Sequence, residues 1–322
     1  MNWRGMWKGR GGGRRMHAGH FVAPNFVLDL EPGFVAAARL NPSKRVVQSV
    51  GARGLPEGAL APSPNKANVA DREALLRTID EVCERVGHAG GRVGLLIPDV
   101  AVRVALLQLE TLPDDPRDAE TMVLWKMREY LPYTSEEARL SYQVVGKQPG
   151  ALEILGVAAR GSVLAEYEST LERVNGGPAL VLPSTAALLP LLPQDAEGQL
   201  LLHLSPGALT AVVIASDRLR YWRTRPLEGS IENVAEEVSR EAARVLATCQ
   251  DNLSVHVQNV WYCERSLAET KSKIGAAVEG ALGRELSPLP GNLLPASGLP
   301  AGQRETFDLV GMPFAGLMAN LS

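Results

Sequence analysis

Two turns in this chain carry residues that could bind a phosphate group. Residues 28–33 read Leu-Asp-Leu-Glu-Pro-Gly, and residues 202–207 read Leu-His-Leu-Ser-Pro-Gly. Each copy follows one apolar run and precedes another, which predicts a strand, a tight turn and a returning strand. Turns of this kind can present backbone N–H groups and hydroxyls to phosphate oxygens. The candidate residues of such a nucleotide site are Asp29, Gly33, Ser205 and Gly207.

The composition of the first turn argues against phosphate chemistry. Pro32 has no backbone N–H to donate, and Glu31 places a negative charge beside the expected phosphate position. The alternative interpretation is that both Pro-Gly sequences are simply hairpin turns, and it is preferred over retained ATP hydrolysis. Binding of a nucleotide without hydrolysis stays open, because Asp29 is present.

The duplicated phrase predicts two related lobes whose turns converge on the cleft between them. A length of 322 residues suits two lobes. Residues 101–177 follow the order strand, helix, strand, strand, helix, and the repeated hairpins lie on either side, so this segment is predicted to be an inserted α/β subdomain. The predicted organisation is a disordered basic tail at 1–20, a first lobe at 21–195 that contains the insertion, a second lobe at 196–305, and a C-terminal helix at 306–322 that returns to the first lobe.

Charge and composition exclude several classes of function. A net charge of −3 gives no electrostatic reason to expect nucleic acid as a partner. The apolar runs are too short to span a bilayer. Three widely separated cysteines favour a reducing, cytoplasmic compartment, and the five histidines lack the spacing of a metal site. Since P-loop, hydrolase-elbow and zinc-protease motifs are also missing from the sequence, the chain is predicted not to be an enzyme.

The first twenty residues differ from the remainder. They contain five arginines and lysines and two tryptophans, without an acidic residue. Two alternatives to a disordered tail are upstream sequence before a true start at Met16, and a weak tether to anionic lipid. The disordered tail is preferred over the tether, because the glycines would break an amphipathic helix.

Taken together, the sequence resembles the PilM family of type IV pilus assembly proteins, which are actin-like and related in fold to the cell-division protein FtsA. The resemblance covers about residues 26 to 321 and depends on the order of several phrases. It implies an actin-like, duplicated ribonuclease H-like α/β fold with an inserted small subdomain. The phrases that carry it are Ile97-Pro98-Asp99, Leu112-Pro113, Trp125 to Tyr130-Leu131-Pro132, and Ser141-Tyr142-Gln143-Val144.

The family pattern also implies what this chain has lost. Such proteins hold ATP between the two hairpins, with Asp-Ile-Gly-Ser-Ser-Ser at the first turn, an Asp at the second and Gly-Gly against the adenosine. Here the second turn opens with His203, and Tyr262 to Ser266 contains no glycine, so its side chains would occupy the nucleotide's space. The resemblance therefore implies a degenerate nucleotide cleft. No cofactor is expected, although ATP with magnesium stays possible.

The function implied by the resemblance is that of an adaptor. Proteins of this family lie at the cytoplasmic face of the inner membrane and bind the N-terminal cytoplasmic tail of the membrane protein PilN, in a groove between the inserted subdomain and its neighbouring lobe. Other pilus platform and motor proteins are further expected partners, and membrane association is expected through the partner. The candidates to line the groove are Leu107, Leu109, Trp125, Tyr130 and Tyr142. For each of them, packing in a core is the preferred interpretation, and Trp125 is the best candidate of the set.

Two alternatives stay open. The chain could be an ATP-binding actin-like protein of the pilus or division type that switches or polymerises with nucleotide. It could also be the cytoplasmic part of a type II secretion platform protein, which shares this architecture and continues into a transmembrane helix. Because this sequence stops at Ser322, the pilus assignment is preferred.

Overall fold

The computed structural model describes residues 24–87, 91–193, 198–267, 271–290 and 298–319. The predicted basic tail at residues 1–20 lies outside these ranges. The strands are β1 (Phe26–Glu31), β2 (Phe34–Asn41), β3 (Val46–Gly54), β4 (Gly91–Ile97), β5 (Val102–Leu109), β6 (Ala138–Gln148), β7 (Ala151–Arg160), β8 (Gly176–Pro183), β9 (Gly198–Ser205), β10 (Ala208–Ala215), β11 (Arg218–Pro226), β12 (Val257–Glu264) and β13 (Ser287–Pro288). The helices are α1 (Arg72–Val86), α2 (Pro116–Met127), α3 (Gly161–Ser169), α4 (Ser184–Leu188), α5 (Ile231–Asp251), α6 (Lys271–Leu282), α7 (Ala301–Val310) and α8 (Met312–Ala319).

Two five-stranded sheets have the same topology. Their strand orders are β3-β2-β1-β4-β8 and β11-β10-β9-β12-β13. In each sheet the first three strands in the chain form an antiparallel meander, and the next two are parallel to the central strand. The repeated sequence phrase falls at equivalent places, namely the turn from β1 to β2 and the turn from β9 to β10. The predicted duplication of an α/β unit is therefore confirmed.

A third sheet lies in the chain between β4 and β8. Its order is β5-β7-β6, and both pairings are antiparallel. Helix α2 is capped at its N-terminus by Asp115, whose side chain accepts hydrogen bonds from the backbone N–H groups of Arg117 and Asp118. The helix buries Val123 and Met127 against this sheet, which gives the inserted segment a small core of its own.

Two longer helices show how local sequence determines their ends. Helix α1 is capped by the side chain of Asp71, as predicted, and ends at Gly87 in the left-handed conformation with φ of 72°. Helix α5 is capped by Ser230, which accepts from the N–H of Asn233. Its buried face includes Val238 and packs on the second sheet.

The largest apolar core crosses the boundary between the two lobes. Leu28 of β1 and Leu95 of β4 belong to the same contiguous cluster as Leu201 of β9 and Val212 of β10. A second cluster lies between the second sheet and helices α5 and α6. The two lobes therefore share one apolar core.

The chain returns to the first lobe at its C-terminal end. Helix α7 contacts β3, and α8 packs on α4 and on strands β2 and β3. Sequence analysis predicted one C-terminal helix at residues 306–322, where the structure has the two helices α7 and α8. The buried side chains of α7, Phe307 and Val310, lie in its last turn, so the first residues of this helix carry no apolar pattern.

Helices α2 and α3 end in short 3-10 turns. Helix α2 ends at Met127 and continues as a 3-10 turn to Tyr130, because Pro132 restricts the residue before it to extended backbone. Helix α3 ends at Ser169, and another 3-10 turn continues the segment to Val174. None of the helices in the described ranges is long and apolar enough to cross a bilayer.

Candidate functional site

The two Pro-Gly turns touch each other across the lobe boundary. A Cβ atom built on Gly33 would lie 3.3 Å from Cγ of Pro206, so only glycine allows this approach without displacing the proline. Gly207 has φ of +75°, the left-handed region that a type II turn requires after proline. The turns predicted to flank a nucleotide therefore contact each other directly.

Arg265, immediately after β12, lies beside these turns. Its side chain is only 1% exposed. The guanidinium forms an ion pair with Asp29 through Nη2 and with Glu31 through Nη1, at 3.2 Å from Oε1. Its carbon Cζ lies 5.2 Å from the centroid of the Phe34 ring. Arg265 thus joins the second lobe to the first strand of the first lobe at the place where the turns meet.

The protonation of the two carboxyl groups follows from their burial. Burial raises the pKa of Asp29 to about 6 and that of Glu31 to about 8, although the charge of Arg265 opposes both shifts. The hydroxyl of Ser184 donates to Oε1 of Glu31 at 2.8 Å. At neutral pH, Asp29 is therefore mainly ionised and Glu31 mainly protonated. The group of Asp29, Glu31 and Arg265, called the buried triad below, then has a net charge near zero.

A second polar group lies beside the buried triad. Asp99 accepts from the backbone N–H of Thr185 at 3.1 Å, from the hydroxyl of Thr185, and from the hydroxyl of Thr210 at 2.7 Å. Nδ1 of His203 lies 2.6 Å from the Thr185 hydroxyl oxygen. Since that hydroxyl donates its one proton to Asp99, Nδ1 must donate to it. His203 is therefore neutral, with its proton on Nδ1.

The pKa shifts of Asp99 and His203 agree with this arrangement. Burial opposes ionisation of Asp99, but the nearby His203 ring and the hydrogen bonds from Thr185 and Thr210 outweigh burial and lower its pKa. Burial lowers the pKa of His203 by more than the neighbouring Asp99 raises it. Within the described residues, Nε2 of His203 has no hydrogen-bond partner. The group is therefore a buried carboxylate stabilised mainly by neutral donors.

The four residues that were predicted to form a nucleotide site all lie at the boundary between the two lobes. Asp29 bonds to Arg265, Gly33 touches Pro206, and Ser205 is 5% exposed. Sequence analysis did not list Arg265, Asp99 or Thr185 as site residues. One signal was available, because Asp29 and Glu31 both lie in a short apolar strand, and buried acids need a partner. The sequence does not identify that partner among its 33 lysines and arginines.

The five predicted peptide-binding residues do not share one surface. Leu107 and Leu109 are 5% and 8% exposed and belong to the core under α2, so a peptide on the surface would not contact them. Tyr142 is partly buried against the same core. In contrast, Trp125 is 52% exposed and Tyr130 is 49% exposed. For the two leucines, the preferred interpretation of packing in a core agrees with the structure, because their face of the strand is the one that α2 covers.

Trp125 and Tyr130 lie on the outer side of the inserted subdomain. Nζ of Lys126 and Cζ of Arg128 lie 5.3 Å and 4.8 Å from the centroid of the Trp125 indole. These distances allow cation–π attraction, which holds the indole on the surface.

An open groove of about 660 Å³ lies where the inserted subdomain meets the first lobe. Asn65 contributes one wall from the loop before α1, and Arg160 at the end of β7 crosses to it, with Nη1 donating to the Asn65 carbonyl at 2.6 Å. Arg160 also forms an ion pair with Glu137. The remaining lining residues, all just after the exposed Tyr130, are Leu131, Pro132, Tyr133 and Thr134. The groove therefore combines apolar contact surface with fixed polar groups.

The side chain of Tyr133 lines this groove, but its hydroxyl oxygen is buried and has no hydrogen-bond partner among the described residues. Burial raises the pKa of Tyr133 to about 12, so the hydroxyl keeps its proton at neutral pH. The accessible part of Tyr133 therefore adds to the apolar wall of the groove.

Replacing Glu31 with glutamine is expected to reduce the pH dependence of stability. The pKa of Glu31 is about 8 in the folded chain against an ordinary value of 4.5, so the folded chain holds a proton that the unfolded chain releases between these values. Stability of the natural chain should therefore fall as pH rises through this window, by up to about 2 kcal/mol between pH 6 and pH 8. Urea unfolding at the two pH values measures the difference.

The matched control is Glu81→Gln. Glu81 is 57% exposed and pairs with Arg53 on the surface. Its replacement should therefore leave the pH dependence of stability unchanged. If the Glu31→Gln variant keeps the natural slope, Glu31 is not the proton-binding group.

The comparisons with known proteins bear on the fold. No model of a known protein family matches the chain, and no curated protein matches its sequence. A chain of a PilM–PilN type IV pilus biogenesis complex superimposes with a TM-score of 0.76 over 92% of this chain and 97% of that chain, at 17% identity. A Bacteroides thetaiotaomicron protein with an actin-like ATPase fold and unknown function covers 92% of this chain and 96% of its own, with a TM-score of 0.49 and 8% identity.

The cytoplasmic domain of EpsL, an inner membrane component of the Vibrio cholerae type II secretion system, is also similar. It covers 81% of this chain and 96% of its own, with a TM-score of 0.44 and 14% identity. Together with the duplicated sheet topology, the likeness to the pilus complex shows that the chain has the actin-like α/β fold predicted from the sequence.

Proposed function

We propose that this protein is a non-catalytic adaptor of a type IV pilus assembly machine. In this proposal it binds the N-terminal cytoplasmic tail of a PilN-like inner-membrane protein and thereby lies at the cytoplasmic face of the inner membrane. The observation that carries the proposal is the fold match to a chain of a PilM–PilN type IV pilus biogenesis complex over 92% of the chain. Other pilus platform and motor proteins would be coupled to the membrane through it.

The groove at Asn65, Tyr133 and Arg160 is the proposed site for the tail. It is open along the surface, so it can admit an extended segment without unfolding of the subdomain. Leu131, Pro132 and the Tyr133 ring would contact apolar side chains of the tail. The exposed Trp125 and Tyr130 would extend the contact surface beyond the groove.

The lobe boundary supports a role without ATP. The proposed absence of nucleotide binding rests on Arg265, whose guanidinium lies on Asp29 and Glu31, and on the contact between Gly33 and Pro206. A phosphate group would have to displace these contacts and separate two buried carboxyl groups from their cation. Breaking a buried ion pair typically costs several kcal/mol. We therefore propose that the cleft is degenerate and that the protein does not hydrolyse ATP.

A peptide titration tests the proposal. A fluorescein-labelled peptide comprising the cytoplasmic tail of the PilN-like protein from the same organism is titrated with the full chain, and anisotropy is recorded with and without MgATP. We expect saturable binding that MgATP does not change. Arg160→Ala should weaken it by about tenfold, because it removes the hydrogen bonds to Asn65 and Glu137 that hold the walls of the groove together, and a hydrogen bond from a charged donor contributes roughly 1.5–3 kcal/mol.

Arg173→Ala serves as the matched control. Arg173 forms an ion pair with Asp80 on the surface of the first lobe, away from the groove. Its replacement should leave the affinity unchanged. Binding that requires MgATP would contradict the degenerate cleft, and lack of binding under both conditions would overturn the adaptor proposal.

A further inference from the structure

Three arginines surround one buried carboxylate on the second lobe. Glu241 of α5 has a side chain that is 4% exposed, and it lies 2.8 Å from Arg225, 2.9 Å from Arg244 and 3.4 Å from Arg223. The side chains of these arginines are 42–46% exposed. We call this group of four residues the arginine cluster.

The register of the sheet explains why the arginines gather there. Arg223 and Arg225 of β11 lie opposite Ala211 and Leu209 of β10. Both of those β10 residues belong to the core that α5 covers. The two arginines therefore extend from the helix-covered face of the outermost strand, and their charged groups emerge at the margin between strand and helix.

The cluster has an excess of positive charge in a fixed arrangement. Three guanidinium groups and one carboxylate give a net charge of +2. The carboxylate accepts one hydrogen bond from Arg225 and one from Arg244, and it forms an ion pair with Arg223, while each guanidinium has five N–H donors. The donors that face solvent are held in place by Glu241, which lowers the entropy cost of binding an anion. Arg244 comes from the helix and the others from the strand, so the donors converge from two elements.

We propose that the arginine cluster docks an acidic segment of a partner protein, by ion pairs between its guanidinium groups and aspartate or glutamate carboxylates. Bidentate pairing of guanidinium with carboxylate is the geometry that arginine favours. The proposed site lies on the second lobe, whereas the groove described above lies between the first lobe and the inserted subdomain. The proposal is therefore independent of the proposed function and permits a second partner to bind at the same time.

The surroundings of the arginine cluster argue against a membrane surface as the occupant. Among the described residues, the large apolar side chains that are exposed are Trp125 and Tyr130, both in the inserted subdomain. The arginine cluster therefore lacks the apolar side chains that would insert into a membrane beside it.

A binding experiment with a defined acidic probe tests this proposal. A fluorescently labelled peptide of alternating aspartate and glutamate is titrated with the full chain at low and at physiological salt. We expect saturable binding that weakens as salt screens the charges. Replacing both strand arginines, Arg223→Gln with Arg225→Gln, should weaken binding by about tenfold or more.

Arg240→Gln is the matched control on the same helix. Arg240 is 58% exposed and pairs with Glu236 four residues earlier, outside the arginine cluster. This variant should bind the peptide with the natural affinity. Urea unfolding of all variants confirms that they are folded at the temperature of the titration.

Three results would overturn the proposal. In the first, the natural chain and the double variant bind the acidic peptide equally well, or neither of them binds it. Another is binding to phosphatidylglycerol vesicles without binding to the peptide, which would make the occupant a lipid surface. The third is self-association at low salt that the double variant abolishes without peptide binding, which would make the occupant a second copy of this chain.

Discussion

Replacing Arg265 with methionine is expected to lower the free energy of unfolding by about 3–5 kcal/mol at pH 8. The replacement removes the cation of the buried triad and leaves Asp29 and Glu31 without a charged partner. At lower pH the loss should be smaller, because both carboxyl groups become protonated below their pKa values of about 6 and about 8. Urea unfolding at pH 5 and pH 8 measures both values.

Two further variants define the cause of this loss. Arg77→Met removes an arginine that is 63% exposed and paired with Glu73, and it should change stability by less than about 0.5 kcal/mol. Combining Arg265→Met with Asp29→Asn and Glu31→Gln should restore much of the stability at pH 8, because unpaired charge is then absent. A loss for Arg265→Met no larger than for Arg77→Met would show that the triad does not stabilise the lobe boundary.

Replacing Gly316 with alanine is expected to lower the free energy of unfolding by about 3 kcal/mol. Helix α8 lies so close to α4 that a Cβ atom on Gly316 would be 1.7 Å from the carbonyl oxygen of Ala187. That atom belongs to the backbone, so it cannot move aside by a change of rotamer. The helix would have to shift away from the first lobe, with loss of packing around the buried Phe314 and Leu317. Thermal and urea unfolding measure this effect.

Gly302→Ala is the matched control for this prediction. Gly302 lies in α7, and a Cβ atom there would meet nothing within 4 Å among the described residues. Alanine at this position should stabilise the chain by about 0.5–1 kcal/mol, because it favours the helix over the unfolded state. If both alanine variants behave alike, the close approach of α8 to α4 does not exist in solution.

The duplicated architecture was predictable because its signal is local. The phrase ending in Pro32-Gly33 and the one ending in Pro206-Gly207 each determine a hairpin within a few residues, and those hairpins form the antiparallel half of each sheet. The parallel strand β4 was also recognisable as a short buried apolar run. In contrast, the first residues of α7 were not predicted to be helical, because its buried side chains lie in the last turn.

The polar interior of the lobe boundary could not be predicted in the same way. Glu31 contacts Arg265, which is 234 residues further along the chain, and no local pattern relates the two. The sequence does show that two acidic residues, Asp29 and Glu31, lie in an apolar strand. Buried acidic side chains of this kind need a polar or charged partner. The identity of that partner depends on the three-dimensional arrangement of the two lobes.

The candidate groove shows another limit of sequence reasoning. Successive side chains of β5 point to opposite faces of the sheet, so the sequence indicates which residues share a face. It does not indicate which of the two faces α2 covers. Leu107 and Leu109 are consequently buried, although they were candidates to line the groove. Asn65 and Arg160 meet across the groove only because the inserted subdomain folds back against the loop before α1.

The apolar cluster shared by both lobes has a consequence for how the molecule unfolds. Because Leu28 and Leu201 belong to one contiguous core, opening the lobes about a hinge would expose apolar surface on both sides at once. The two sheets should therefore lose their structure in a single cooperative transition. Amide protons of β1 and β9 should exchange with solvent through the same global opening, at matching protection free energies. We therefore expect the two lobes to unfold as one cooperative unit and not to open and close as two separate rigid bodies.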